Sequence, residues 1–223
     1  MIVTPALLEQ KVEKQKEELI SLSLHYSRFQ IDIADNTLVP NTTTQVDELF
    51  QSSFFNITSG LTFDFHLMVS DPKKHIEAIV KLPKKRVGVI LIHNSVFPDY
   101  SLLKISYPQF RFGLVLNPED EVDRLDKALL SLLPSVQIMT IVPGFQGSSF
   151  IEETLTKIEQ LRKCGYKKEI LIDGSVNEKT IPIIFSKTYK PDVLGVGSYL
   201  TKSPKQDLKK RINYLKTTLL SRE

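Results

Sequence analysis

The chain has 223 residues, 41% hydrophobic and 25% charged, the balance of an ordinary soluble globular protein with room for one large domain or two small ones. Its net charge of +3 is small, it has no tryptophan, and its lysines lie along stretches such as "KVEKQK" and "DLKKRINYLK" that read as solvated helix faces, so no nucleic-acid partner is expected. A single cysteine, Cys164, excludes an intrachain disulfide framework, no apolar run approaches the ~18 residues of a membrane span, and "MIVTPALLEQ" lacks a signal pattern; no membrane association and a cytoplasmic location are expected.

Apolar or β-branched runs alternate with polar stretches of helical spacing from end to end. The first run is "MIVTPALL". The second, "FQIDIA", carries Asp32 in an otherwise apolar setting, then Asp35 and a Val-Pro-Asn exit. "LTFDFHLMV" follows, with Asp71-Pro72 as a helix start behind it. "RVGVILIH" ends at His93, and "FRFGLVLN" ends at Asn117, where Asn117-Pro118 reads as another helix start. "VQIMTIV" leads through a glycine-bearing loop into "FIEETLTKIEQLRKCG". There Ile151, Leu155, Ile158 and Leu161 share one helix face, Ser149 and Glu152 form a capping-box pattern, and Gly165 marks the stop. Cys164, just before that stop, reads as structural rather than nucleophilic. "EILID" and "DVLGVG" are the last strand runs. A final helix, with Leu208, Ile212, Leu215 and Leu219 on one stripe, follows Ser203-Pro204.

Eight strands alternating with helices imply parallel pairing through right-handed crossovers. No Gly-x-Gly-x-x-Gly follows the first strand, as a dinucleotide-binding open sheet would require, and no linker or composition shift divides the chain. The expected fold is α/β, a single (β/α)8 TIM barrel over residues 1–223, with its chemistry at the C-terminal ends of the strands.

Those ends carry Gln30, Asp32 and Asp35, then His66 and Met68, His93, Asn117, Met139 and Asp173. Strand alternation puts Gln30 with Asp32 on one face, and His66 with Met68. Any one of these residues is more often a turn former, a hydrogen-bonded histidine or core filler. Convergence of Asp32, His66 and Asp173 from three strands changes the weighting: two carboxylates and an imidazole can hold a divalent cation, and paired acids can pass protons. In "IMTIVPGFQGSSF", Gly144 and Gly147 flank a loop before a helix. "GVGSYL" repeats that arrangement with Gly197 and Ser198, and Gly174 follows Asp173. These turns suggest a phosphate seat of backbone N–H groups.

Taken together, these residues resemble the ribulose-phosphate 3-epimerase family. Its His-x-Asp-x-Met-Asp-Gly-x-x-Val-Pro-Asn element is similar to "QIDIADNTLVPN", its Asp-x-His-Leu-Met-Val to "DFHLMV", its Met-Thr-Val-x-Pro-Gly-Phe-Gly-Gly-Gln to "MTIVPGFQGS", and its Val-Asp-Gly-Gly to "IDGS". The resemblance implies a barrel of the ribulose-phosphate-binding type and epimerisation at C3 of a ketopentose phosphate, D-ribulose 5-phosphate to D-xylulose 5-phosphate. Asp32 and Asp173 would be the acid and base. One divalent cation (Zn, Mn, Fe or Co) would be held by Asp32, His66, Asp173 and Gln30. Met68 and Met139 would form an apolar wall, and Glu9, Gly144, Phe145, Gly147, Gly174, Ser175, Gly197 and Ser198 would contact substrate and phosphate. Family members form homo-oligomers.

The chain departs from the pattern at Gln30, where the family has a metal-binding histidine, and at Ala34, Asn36, Gln146, Ser148 and Ser175. Glu9 aligns with a substrate-contacting serine, and the family's His-x-Glu is His93-Asn94-Ser95. Two alternatives therefore stand beside the epimerase. One is an impaired relative that only binds a sugar phosphate or a protein partner. The other is a related phosphosugar synthase or decarboxylase, whose Asp-x-Lys-x-x-Asp element is opposed here by His66 in "DFHLMVSD".

Overall fold

Strands that must be buried on two faces are written as near-continuous apolar runs, and a sheet can bury both faces by closing on itself. The structure, a computed structural model, describes residues 1–57, 59–145 and 147–220. Among them, eight parallel strands close into a barrel in sequence order. They are β1 (Ile2–Leu7), β2 (Arg28–Ala34), β3 (Thr62–Met68), β4 (Val87–His93), β5 (Phe112–Leu116), β6 (Ser135–Met139), β7 (Glu169–Asp173) and β8 (Val193–Val196). The ring is completed by β1 against β8, from Ile2 opposite Val193 to Pro5 opposite Val196. Outside it pack α1 (Val12–Ser23), α2 (Val46–Gln51), α3 (Lys73–Ile79), α4 (Tyr100–Ser106), α5 (Lys127–Leu132), α6 (Thr156–Lys163), α7 (Ile181–Ser186), α8 (Ser198–Thr201) and α9 (Lys205–Leu220).

Alternation divides each strand between two cores. Phe29, Ile31, Ile33, Phe63, Phe65 and Leu67 join the large cluster between strands and helices. Val89, Leu91, Val115, Leu171 and Val193 fill the barrel interior. Arg28, first residue of β2, closes the floor. Its Nε donates to Asp64 Oδ2 at 2.7 Å, and its Nη1 and Nη2 form a fork with Glu169 at 2.9 and 3.0 Å. Asp64 Oδ1 also accepts the Val89 N–H at 3.0 Å. A Cβ on Gly88 would lie 2.1 Å from that oxygen, so only glycine lets β4 come this close.

Two of the expected helix starts lie elsewhere. Asn117-Pro118 opens a turn, in which the Asn117 N–H donates to Asp120 Oδ2 at 2.6 Å, and α5 begins only at Lys127, where Asp126 accepts the Ala128 N–H at 2.8 Å. Among the described residues Ser149 makes no cap: a 3-10 turn, Glu152–Leu155, enters α6 from an extended Ile151. At Asn117 the Asp120 carboxylate gives the backbone a local acceptor that holds the turn, and Asp126 supplies the cap from which α5 starts. The stop at Gly165 is as expected, with φ +94° and the Tyr166 N–H bonded to the Leu161 carbonyl at 2.9 Å. Cys164 is exposed at this helix end and its thiol donates to the Leu161 carbonyl at 3.1 Å. In α9, Ile212 and Leu215 are buried, with Leu208 and Leu219 packed beside them. No described helix is long and apolar enough to cross a membrane.

Candidate active site

Parallel register decides what meets at the barrel mouth. Asp32 is opposite His66 and Met139 is opposite Asp173 in neighbouring strands, so acids from β2 and β7 and an imidazole from β3 all point inward at about one height. Asp32 is 4%, His66 1% and Asp173 8% exposed, which makes their charges costly unless paired. His66 Nδ1 lies 3.1 Å from Asp32 Oδ1 and 3.6 Å from Asp173 Oδ2. Gln30, one inward step below Asp32, reaches the same two oxygens: its Nε2 donates to Asp32 Oδ1 at 2.8 Å and to Asp173 Oδ2 at 2.6 Å. Gln137 on β6 adds a longer contact to Asp173 Oδ2 at 3.4 Å. Burial first, then the neighbouring Asp32 charge, push the Asp173 carboxyl up to about 6, against the opposing pull of His66 and the Gln30 amide.

Behind His66 runs a relay. His66 Nε2 is 2.9 Å from His93 Nε2, and His93 Nδ1 is 2.9 Å from Asn117 Oδ1. Burial, then the adjacent His66, drive the His93 imidazole down to about 3, so its ring is neutral. Both relay contacts are met when His93 Nδ1–H donates to Asn117 and His66 Nε2–H donates to His93 Nε2. That leaves His66 Nδ1 turned to the two carboxylates.

Asp32, His66 and Asp173 each offer a ligand atom, and these atoms lie within 4.8 Å of one another. Two carboxylate oxygens and one imidazole nitrogen suit a divalent transition metal or zinc, so the three residues fit such an ion. Gln30 belongs to the same group of side chains, but with its amide nitrogen, which has no free electron pair to give, toward the carboxylates.

Above these groups opens a cavity of about 330 Å³. Asp32, His66, Met68, Met139 and Asp173 line it, together with Gly144, Phe145, Gly147, Gly174, Ser175, Gly197 and Ser198. Gly174 holds φ +121° under Ile141, whose side chain would be 2.5 Å from any Cβ there. Ser175 adopts φ +51°, a left-handed conformation usually left to glycine, and its hydroxyl donates to the Ser148 carbonyl, joining two glycine-bearing turns. The Val-Pro-Asn exit of β2 braces this lining: Asn41 Nδ2 donates to the Gly144 carbonyl at 2.6 Å, and Val39 packs on Gly144. Gln146 lies outside the described residues.

Glu9 is not among the residues lining the cavity; Ala6 and Leu8 of the same segment are. Glu9 instead takes both carboxylate oxygens to Lys14 Nζ, each at 2.9 Å, next to Glu18 on α1. Asp35 likewise points away, bonded to Thr37 and lying 3.4 Å from Lys74. Arg211 on α9, Lys179 and Tyr199 also line the cavity. Arg211 lies over the Tyr199 ring at 4.8 Å and donates to the Tyr199 carbonyl at 2.8 Å. No sequence signal set Arg211 apart from the neighbouring lysines of "DLKKRINYLK", and strand alternation says nothing about a helix residue that reaches the mouth.

With this geometry in place, comparison with known proteins decides the family. The Ribulose-phosphate 3 epimerase family matches residues 2–200. The chain belongs to the ribulose-phosphate 3-epimerase family. The ribulose-phosphate 3-epimerase of Encephalitozoon cuniculi is 30% identical over 198 residues, covering 87% of this chain and 85% of that one. The enzyme of Bacillus subtilis is 30% identical over 176 residues (76% and 78%), and that of Escherichia coli K12 is 28% identical over 226 residues (98% and 96%). These relatives are epimerases, within the isomerase class, and this chain is of that enzyme type. Among solved structures, a mutant tryptophan synthase α-subunit from Pyrococcus furiosus superposes with a TM-score of 0.69 at 14% identity, covering 97% of each chain, which is a likeness of fold alone.

Proposed function

We propose that the chain interconverts D-ribulose 5-phosphate and D-xylulose 5-phosphate by moving a proton at C3 between two aspartates. The observation that carries this reading is the meeting of Asp32 and Asp173, from strands on different sides of β1 and β8, at one buried point beside His66. Epimerisation needs a base on one face of C3 and an acid on the other. Asp173, held up to about 6, is suited to carry the proton, while Asp32 takes one as carboxylate; the roles exchange in the reverse direction. Met68 and Met139 would lie against the flattened carbon skeleton as a soft apolar surface and keep water from it. The turns at Gly144, Phe145, Gly147, Gly174, Ser175, Gly197 and Ser198 would take the phosphate on backbone N–H groups, with Arg211 and Lys179 adding positive charge.

Asp32, His66 and Asp173 would hold one divalent cation (Zn, Mn, Fe or Co), and Gln30 would join them only with its amide turned over. Such an ion supplies Lewis acidity, polarising the C2 carbonyl and stabilising the negative charge that develops as the C3 proton leaves. The His66–His93–Asn117 relay occupies Nε2, so Nδ1 would be the ring atom offered to the ion.

A second reading, a relative that binds a sugar phosphate or a protein partner without turning it over, draws its support from Gln30, whose nitrogen rests on both acids. Proton exchange separates the two. Purified protein, D-ribulose 5-phosphate and Zn, Mn, Fe or Co in deuterated water are expected to give deuterium at C3 with at least one metal. No incorporation with any of them leaves the binding-only reading.

A further inference from the structure

Gln30 presents its amide nitrogen to two carboxylate oxygens, one from each aspartate, at 2.8 and 2.6 Å. Ionised oxygens only accept, so an inverted amide would set its own oxygen against theirs; the nitrogen must face them. Asp32 Oδ1 and Asp173 Oδ2 are also the two oxygens nearest His66 Nδ1, at 3.1 and 3.6 Å. The carboxylate oxygens that face His66 Nδ1, and so face the place a cation would take, are thus the atoms the amide already engages. A cation bound by carboxylate oxygens sits about 2.0–2.2 Å from each. It would compete for the same lone pairs and crowd the N–H groups pointing at them.

We propose that the Gln30 carboxamide and a divalent cation compete for the Asp32–Asp173 pair, the amide holding the acids together when no ion is bound. The inference rests on the metal-site reading above. Its sign is opposite to that of an ordinary ligand: removing a ligand weakens metal binding, whereas removing a competitor strengthens it. The amide's two hydrogen bonds, at 2.8 and 2.6 Å, must both break before an ion can take those oxygens.

The test is a Co2+ titration of metal-free protein, followed by cobalt absorption, on the wild type, Gln30→Ala and Gln30→Leu. Leucine retains the buried volume where alanine leaves a gap. Competition predicts Co2+ binding at least tenfold tighter in the variants, and a lower melting temperature for their metal-free forms. Equal or weaker binding in the variants, or no Co2+ binding by any of the three proteins, overturns it. In the wild type, the 15N side-chain amide signal of Gln30 should shift on Zn2+ addition; a signal that stays in place while Zn2+ binds also overturns it. C3 exchange measured on the same samples keeps the two proposals apart. Tighter Co2+ binding without exchange sinks the epimerase reading and retains the competition. Exchange without tighter binding does the reverse.

Discussion

At the scale of single residues, side chains differ in how directly the chain spells out their place. Asp32 was legible because a carboxylate in an apolar run is costly to bury, and because alternation from Gln30 fixes its direction. Glu9 was not: it stands two residues beyond the end of β1, where alternation no longer governs, and Lys14 on α1 draws it off the mouth. Asp32→Asn and Asp173→Asn each keep shape while removing the proton acceptor, and each is expected to lower kcat by about 10²–10⁴-fold. Coupled-assay turnover checks this, and full activity in either variant would remove that residue from the proton path. Arg211→Met is expected to raise KM for the phosphorylated substrate by about 10-fold with kcat little changed, since uniform binding is what it removes. A KM equal to wild type would show that the phosphate is held without Arg211.

Elements were legible where periodicity spoke and less so where turn chemistry did. The strand runs were readable because both faces of each strand are buried, whereas the starts of α5 and α6 moved because Asp120, Asp126 and the extended Ile151 set local conformations that a two-residue cue does not reveal. Helix α1 carries an unusual acid. Both Glu18 oxygens are buried without a donor among the described residues, and burial, then the charge of Glu9, push its carboxyl up to about 8. An unfolded glutamate ionises near 4.5. Between that value and about 8 the unfolded chain has released a proton that the folded chain retains, so the Glu18 contribution to stability is complete below 4.5 and is lost as pH rises toward 8. Glu18→Gln, which retains a donor toward Glu9, should melt several degrees above wild type at pH 9, at ~2–4 °C per kcal/mol for a chain of this size, and close to wild type at pH 4. Thermal unfolding at the two pH values checks it; identical differences at both would mean that the Glu18 proton plays no part.

For the molecule as a whole, the barrel was legible from the count and alternation of its strands, while its floor was not, because Arg28, Asp64 and Glu169 are far apart in sequence and nothing in their spacing links them. Breaking that buried cluster by Arg28→Leu leaves two acids unpaired and is expected to cost about 3–5 kcal/mol. Urea unfolding measures the loss, and a variant as stable as wild type would show that water serves the acids equally well. Closure has a further consequence, in time rather than space. The Ile2 N–H bonds to the Asp192 carbonyl at 2.9 Å, so the first strand finds its last partner only when the eighth has been made. A ribosome adds residues at ~5–20 per second, so the nascent chain holds one edge of β1 open for on the order of 10–40 s. Throughout synthesis that unpaired edge is a ready template for pairing with a neighbouring chain.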